Sequence, residues 1–93
     1  MTTIKASSKR GQDYLAAYNR SRKTSLRDCY ASFSTEKSRA ERDLRIIMNE
    51  TGGEDFRILS ASRFFFTCGW RTADGDLRVE TVSHTYIIKE DEK

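Results

Sequence analysis

Two hydrophobic periods divide the chain. As far as Glu50 the apolar residues recur at three- and four-residue intervals, and beyond Gly53 they alternate or run together. In the first part, Tyr14, Leu15 and Tyr18 share one face of a helix within Gly11 to Arg22, and Ser7 or Ser8 is placed to cap it near Lys9. Leu26, Cys29, Tyr30 and Phe33 form a second stripe, and Ser25 with Asp28 has the form of a capping box. The two stripes phase either as one helix over residues 9–33 or as two; the cap at Thr24-Ser25 favours a break. Ser34-Thr35-Glu36 then starts a helix that runs over residues 35–50. Ala40, Leu44, Ile47 and Met48 are its buried stripe, Arg39, Arg42, Asp43 and Arg45 face water, and Gly52-Gly53 ends it.

From Arg57 to Lys89 the pattern predicts strands. Phe56, Ile58 and Leu59 belong to a short strand that stops at Ser60-Ala61-Ser62. Arg63 to Thr72 is the central strand, with Arg63-Phe64-Phe65-Phe66-Thr67-Cys68-Gly69-Trp70 as its core. Ala73-Asp74-Gly75-Asp76 is a hairpin turn, since Asp-Gly readily supplies positive φ. A long last strand runs from Leu77 to Lys89. The expected architecture is therefore α+β: two or three N-terminal helices, then a three-stranded antiparallel meander with the 35–50 helix packed on one face. Met1 to Ser8 is expected to be disordered, and residues 90–93 form a charged tail.

A turn centred on Asp74-Gly75 sets the faces of that sheet. Trp70 falls opposite Val79, Cys68 opposite Thr81 and Phe66 opposite Ser83, which makes Phe64, Phe66, Cys68 and Trp70 the core face. The other face pairs Arg71 with Arg78, Thr67 with Val82, Phe65 with His84 and Arg63 with Tyr86. So many apolar groups on a second face call for a cover. Three covers fit the sequence: the N-terminal helices through Tyr14, Tyr18, Leu26 and Tyr30, a second copy of the chain, or a bound partner.

Composition narrows the function classes. The chain has 93 residues and two cysteines, which suits one domain and excludes a disulfide framework. No apolar run reaches the length of a signal-peptide core or a membrane span, so a cytoplasmic protein with reduced thiols is expected. The net charge of +3 is uneven: residues 1–30 carry seven basic and two acidic side chains, a net of +5. A basic N-terminal half suits an acidic protein surface or a nucleic acid.

Candidate chemistry is sparse. Arginines interleaved with aromatics on a sheet can stack unpaired bases while holding phosphates, and Arg63, Phe65, Arg71, Arg78 and Tyr86 carry that chemistry. Arg20, Arg22, Lys23 and Arg27 form a second set of candidate phosphate contacts. His84, the single histidine, has no partner in reach beyond Glu80. Cys29 and Cys68 sit in apolar stripes, as buried inert thiols do, and with His84 they are one ligand short of a structural zinc site. Gly52-Gly53 follows a helix and precedes a strand, the reverse of a phosphate loop. These residues imply no enzyme, no cofactor and no metal.

Ser25-Leu26-Arg27-Asp28-Cys29-Tyr30, followed by Ser34, Lys37, Ala40, Gly52-Gly53, Ile58, Ser60 and Phe66, resembles a pattern in small phage and mobile-element proteins. The resemblance covers residues 25–70, and Ser62 and Thr67 depart from it. It implies an accessory protein, a class that includes inhibitors of host defence systems, and it assigns no functional residue. Together with the residues themselves, it leads us to expect a non-enzymatic binding protein that meets a host or element-encoded protein or nucleoprotein. The alternative is a nucleic-acid-binding module that uses the basic N-terminal segment and the arginine-aromatic sheet face.

Overall fold

The computed structural model describes residues 1–21, 35–61, 66–81 and 84–90. Its elements are β1 (Thr2–Lys5), α1 (Lys9–Ser21), α2 (Thr35–Glu50), β2 (Glu54–Ala61), β3 (Phe66–Arg71), β4 (Leu77–Glu80) and β5 (Thr85–Lys89). The strands form one mixed five-stranded sheet in the order β1-β5-β4-β3-β2. The expected three-stranded antiparallel meander is thus corrected, while helices packed on a sheet remain. The second helical stripe, with Leu26, Cys29, Tyr30 and Phe33, lies outside the described residues, as do Arg63, Phe64 and Phe65 at the head of the expected central strand.

Two of the five strands escape the sequence pattern for physical reasons. The segment expected to be disordered contains β1, which pairs parallel with β5 from Thr2↔Tyr86 to Lys5↔Lys89. Thr2, Thr3 and Ile4 have branched side chains that suit a strand, but their partner is at the far end of the chain. The expected long last strand is two strands. Thr81 donates its N–H (2.8 Å) and its hydroxyl (3.0 Å) to the carbonyl of His84, closing a reversal between β4 and β5. A threonine side chain replaces the glycine or asparagine that usually announces a turn.

The β3–β4 hairpin is offset by one residue from the expected register. Thr72 donates to Asp76 (2.8 Å), Gly75 donates back to Thr72 (3.0 Å), and Gly75 has φ 90°. This is a three-residue loop ending in a left-handed glycine, not a two-residue turn. The observed pairs are Cys68↔Glu80, Gly69↔Val79, Trp70↔Arg78 and Arg71↔Leu77. A one-residue slip exchanges the faces of one strand relative to its partner. Arg71 and Arg78, expected side by side, therefore lie on opposite faces.

Each face carries its own apolar cluster. On the first, Leu77, Val79 and Ile88 pack with Ile4, Leu59 and Tyr86 beneath Tyr14, Leu15 and Tyr18 of α1. The face that needed a cover is thus covered by the first helix. On the second, Phe56, Ile58, Cys68 and Trp70 pack beneath Leu44, Ile47 and Met48 of α2. Trp70, Tyr18, Leu77, Ile88, Val79 and Cys68 are all 0% exposed. Each large apolar side chain among them contributes about 1.5–3 kcal/mol by leaving water.

The helix ends follow the sequence signals. Ser8 Oγ accepts the Gly11 N–H at 3.1 Å, which caps α1. At the end of α2, Gly53 donates to Met48 (2.8 Å) and Gly52, at φ 75°, donates to Asn49 (3.3 Å). These are the two bonds of a Schellman closure. Edge strand β2 carries two register shifts, and Asp55 within it has φ 65°. The buried Tyr18 hydroxyl donates to the Asp55 carbonyl at 2.6 Å, tying α1 to that bulge.

Candidate functional site

Four of the expected site residues, Arg20, Arg71, Arg78 and Tyr86, lie among the described residues, and they occupy separate places. Arg71 is half-buried on the first face, ion-paired with Glu90 and 5.1 Å from the Tyr18 ring centre. Arg78, on the second face, pairs with Glu80 at 2.7 Å and lies 5.2 Å from the Trp70 ring centre. Both arginines serve as covers for buried aromatics. Arg20 is exposed in the last turn of α1. Arg22, Lys23, Arg27, Arg63 and Phe65 lie outside the described residues. Among the described members of the set, Tyr86 enters a cluster that reaches solvent.

That cluster sits where α1, β1 and β5 meet. Arg10 and Tyr14 are four apart on α1, so both project from one side of the helix. The parallel pairing places Tyr86 beside Thr2, and His84 precedes Tyr86 by one strand repeat. Arg10 donates to the Tyr86 hydroxyl at 2.7 Å, and its guanidinium carbon is 4.5 Å from that ring's centre. The His84 ring lies 4.7 Å from the Tyr86 ring at 46°, and the Tyr14 ring lies 5.6 Å from it at 32°. His84 Nε2 and Thr2 Oγ1 are hydrogen-bonded at 2.5 Å. Arg10, His84 and Thr2 are exposed; Tyr14 and Tyr86 are half-buried.

The other face of the β1–β5 pair is cationic, since Lys5 and Lys89 alternate with Ile4 and Ile88. Lys5 and Lys89 are register partners on neighbouring strands, a like-charge juxtaposition that costs stability on its own. Asp76 relieves it by pairing with Lys89 at 2.9 Å, and that hydrogen bond, with the Asp76 charge, raises the Lys89 pKa above the ordinary lysine value. Lys9, exposed at the start of α1, approaches Asp13 at 4.0 Å. Among the described residues no anionic partner stands against Arg10 or Lys5.

Other reactive groups are held in structural roles. Cys68 is a free thiol whose pKa is pushed up, first by burial and then by the Glu80 and Glu41 carboxylates, so it stays protonated and unreactive. Glu80, the expected partner of His84, instead accepts from Arg78 (2.7 Å) and Thr85 (2.8 Å) on the opposite face. Among the described residues no three His, Cys, Asp or Glu side chains gather to hold a metal ion. No described helix is long and apolar enough to cross a membrane.

Sequence reasoning missed Arg10, Tyr14 and Thr2 as members of a site. The spacing of Arg10 and Tyr14 was a local signal, but only the β1–β5 pairing brings Thr2, His84 and Tyr86 to them. Comparison with known proteins supplies no further residue: no family model, no curated protein and no solved structure matches this chain.

Proposed function

We propose that this protein is a small non-enzymatic binding protein that presents the α1–β1–β5 surface to a macromolecular partner. One observation carries the reading: Arg10 and His84 are both fixed against Tyr86 while remaining exposed. Fixing an arginine side chain costs up to about 2 kcal/mol of rotamer freedom. An exposed cation–π contact returns about 0.5–1 kcal/mol, and a hydrogen bond about 1 kcal/mol. The arrangement is thus close to neutral for stability. It removes in advance an ordering cost that a binding partner would otherwise meet.

The enclosed Cys68 thiol and a His84 without a carboxylate partner among the described residues favour binding over catalysis. The setting we propose is the cytoplasm, with a host or element-encoded protein or nucleoprotein as partner and inhibition of a host system as one outcome. That setting rests on the resemblance of residues 25–70 to phage and mobile-element accessory proteins. The test is capture from a bacterial lysate, with and without nuclease, on immobilised wild-type protein and on the Arg10→Glu/His84→Ala double variant. A partner held by the wild type and absent from the variant is expected. Identical profiles on the two proteins would overturn the assignment of the surface.

A further inference from the structure

The chemistry of the same surface names a partner class. We infer that the Arg10–Tyr86–His84 cluster is a contact site for single-stranded nucleic acid, with Lys9 holding the backbone beside it. The inference rests on the binding reading above and goes beyond it in choosing nucleic acid over protein.

Four observations lead there. Arg10 uses one donor on the Tyr86 hydroxyl, and among the described residues no other acceptor engages its remaining guanidinium N–H groups, which suit the two oxygens of a phosphodiester. His84 is exposed and leans on Tyr86 at 46°, which leaves an imidazole face open to a base. Lys9 is exposed beside Arg10 at the start of α1, and its 4.0 Å approach to the exposed Asp13 is a weak surface contact. The surface also offers an acidic peptide little of what it would need for specificity. Met1 and Ile46 are the exposed large hydrophobic residues among those described, and Ile46 lies on α2, packed against the opposite sheet face. Met1 adjoins Thr2, so a peptide would find charge there and, among the described residues, one exposed large apolar side chain to pack on. A nucleic-acid strand needs only charge and π faces.

Duplex DNA suits the surface less well. The solvent side of α1 carries Lys9, Asp13, Ala16 and Arg20 at helical spacing, so an acid sits in the middle of this helix, which borders the site. A paired base also offers no free face to His84.

The experiment is fluorescence anisotropy with a labelled oligothymidine of twelve nucleotides and a duplex of equal length, over a range of salt. Tighter binding of the single strand is expected. With Lys9 and Arg10 each neutralising one phosphate, log K should fall against log salt with a slope of about −1.4. Arg10→Ala should reduce the slope by about 0.7. His84→Ala should weaken binding about tenfold, within the range for loss of one stacked base. Arg39→Ala, on α2, should change neither. Retained near-UV circular dichroism confirms folding of each variant.

Equal binding of duplex and single strand, or unchanged binding in both Arg10→Ala and His84→Ala, would overturn the inference. So would equal competition by polyglutamate, which would make the site one for acidic polypeptides. The two levels of the reading separate cleanly. If the oligonucleotide fails to bind while lysate capture still depends on Arg10 and His84, the nucleic-acid inference falls and the binding surface stands. If neither assay depends on them, both fall.

Discussion

Gly52 and Gly53 are adjacent, both are glycine, and replacing them should fail for different reasons and by different amounts. At Gly52 the obstacle is conformation: φ is 75°, and among the described residues an added Cβ would meet the Ala73 Cβ alone, at an ordinary 3.6 Å. Holding an L-residue in the left-handed region costs about 1–2 kcal/mol. At Gly53 the obstacle is space. A Cβ there would stand 2.6 Å from Trp70 Cδ1, 2.9 Å from Met48 Cγ and 3.0 Å from the Arg71 carbonyl oxygen. Met48 can yield, but Trp70 is 0% exposed and stacked on Phe56 at 5.9 Å, and the carbonyl belongs to β3. Overpacking costs about 1–3 kcal/mol, and two unyielding neighbours place Gly53→Ala at the upper end. At about 4–8 °C per kcal/mol for a domain of this size, Gly52→Ala should lower Tm by about 4–16 °C and Gly53→Ala by about 12–24 °C. Thermal unfolding followed by circular dichroism measures both. The decisive comparison is with asparagine, which tolerates the left-handed region. Gly52→Asn should recover much of the Gly52→Ala loss, and Gly53→Asn should be worse than Gly53→Ala. Trp70 fluorescence should shift in the Gly53 variants alone. A Gly53→Ala protein as stable as Gly52→Ala, with unaltered Trp70 emission, would refute the packing argument at the end of α2.

Three further outcomes follow from particular contacts. Tyr18→Phe removes the 2.6 Å hydrogen bond to the Asp55 carbonyl and keeps the buried ring, so urea unfolding should show a loss of about 1 kcal/mol with an unchanged m-value. Asp55→Gly and Asp55→Ala both delete the carboxylate, but only alanine must hold φ at 65°; the glycine variant should be the more stable by about 1 kcal/mol. Cys68, fully buried with its pKa raised, should resist an aromatic disulfide reagent at pH 8 in the native protein and react once urea unfolds it. Fast native-state labelling at that position would contradict the enclosed second face.

What could be read from the sequence was what depends on near neighbours. The C-terminal limit of α2 follows from two adjacent glycines. Tyr14, Leu15 and Tyr18 face one way because helical spacing makes them do so, and the Asp-Gly pair marks a reversal wherever the loop happens to close. What could not be read depends on distant residues or on one-residue differences. β1 is a strand because β5 lies beside it, a pairing across more than 80 positions (Thr2 to Tyr86) that no local pattern reports. The break within the expected last strand rests on a threonine hydroxyl bonded to the His84 carbonyl. Two-residue and three-residue loops around Asp74-Gly75 use the same residues, and only the closing bond between Thr72 and Asp76 separates them.

That last difference decides where function can reside. With a two-residue turn, Arg71 and Arg78 would share a sheet face with the residue opposite His84, and an open arginine-aromatic platform would follow. With the three-residue loop, Arg78 moves to the face of Trp70, and Arg71 stays above Tyr18 beneath the first helix. Each then seals the edge of a packed cluster and is held by a carboxylate, Glu80 or Glu90. An arginine engaged in this way has to break an ion pair before it can meet a phosphate, so it adds little to binding. Arg10 has no such debt among the described residues: its hydrogen-bond partner is a neutral phenol, and its charge is unopposed. Among the described residues, the same slip in register engages Arg71 and Arg78 with carboxylates and leaves Arg10, at the α1–β1–β5 junction, as a cation fixed on an aromatic ring with no carboxylate against it.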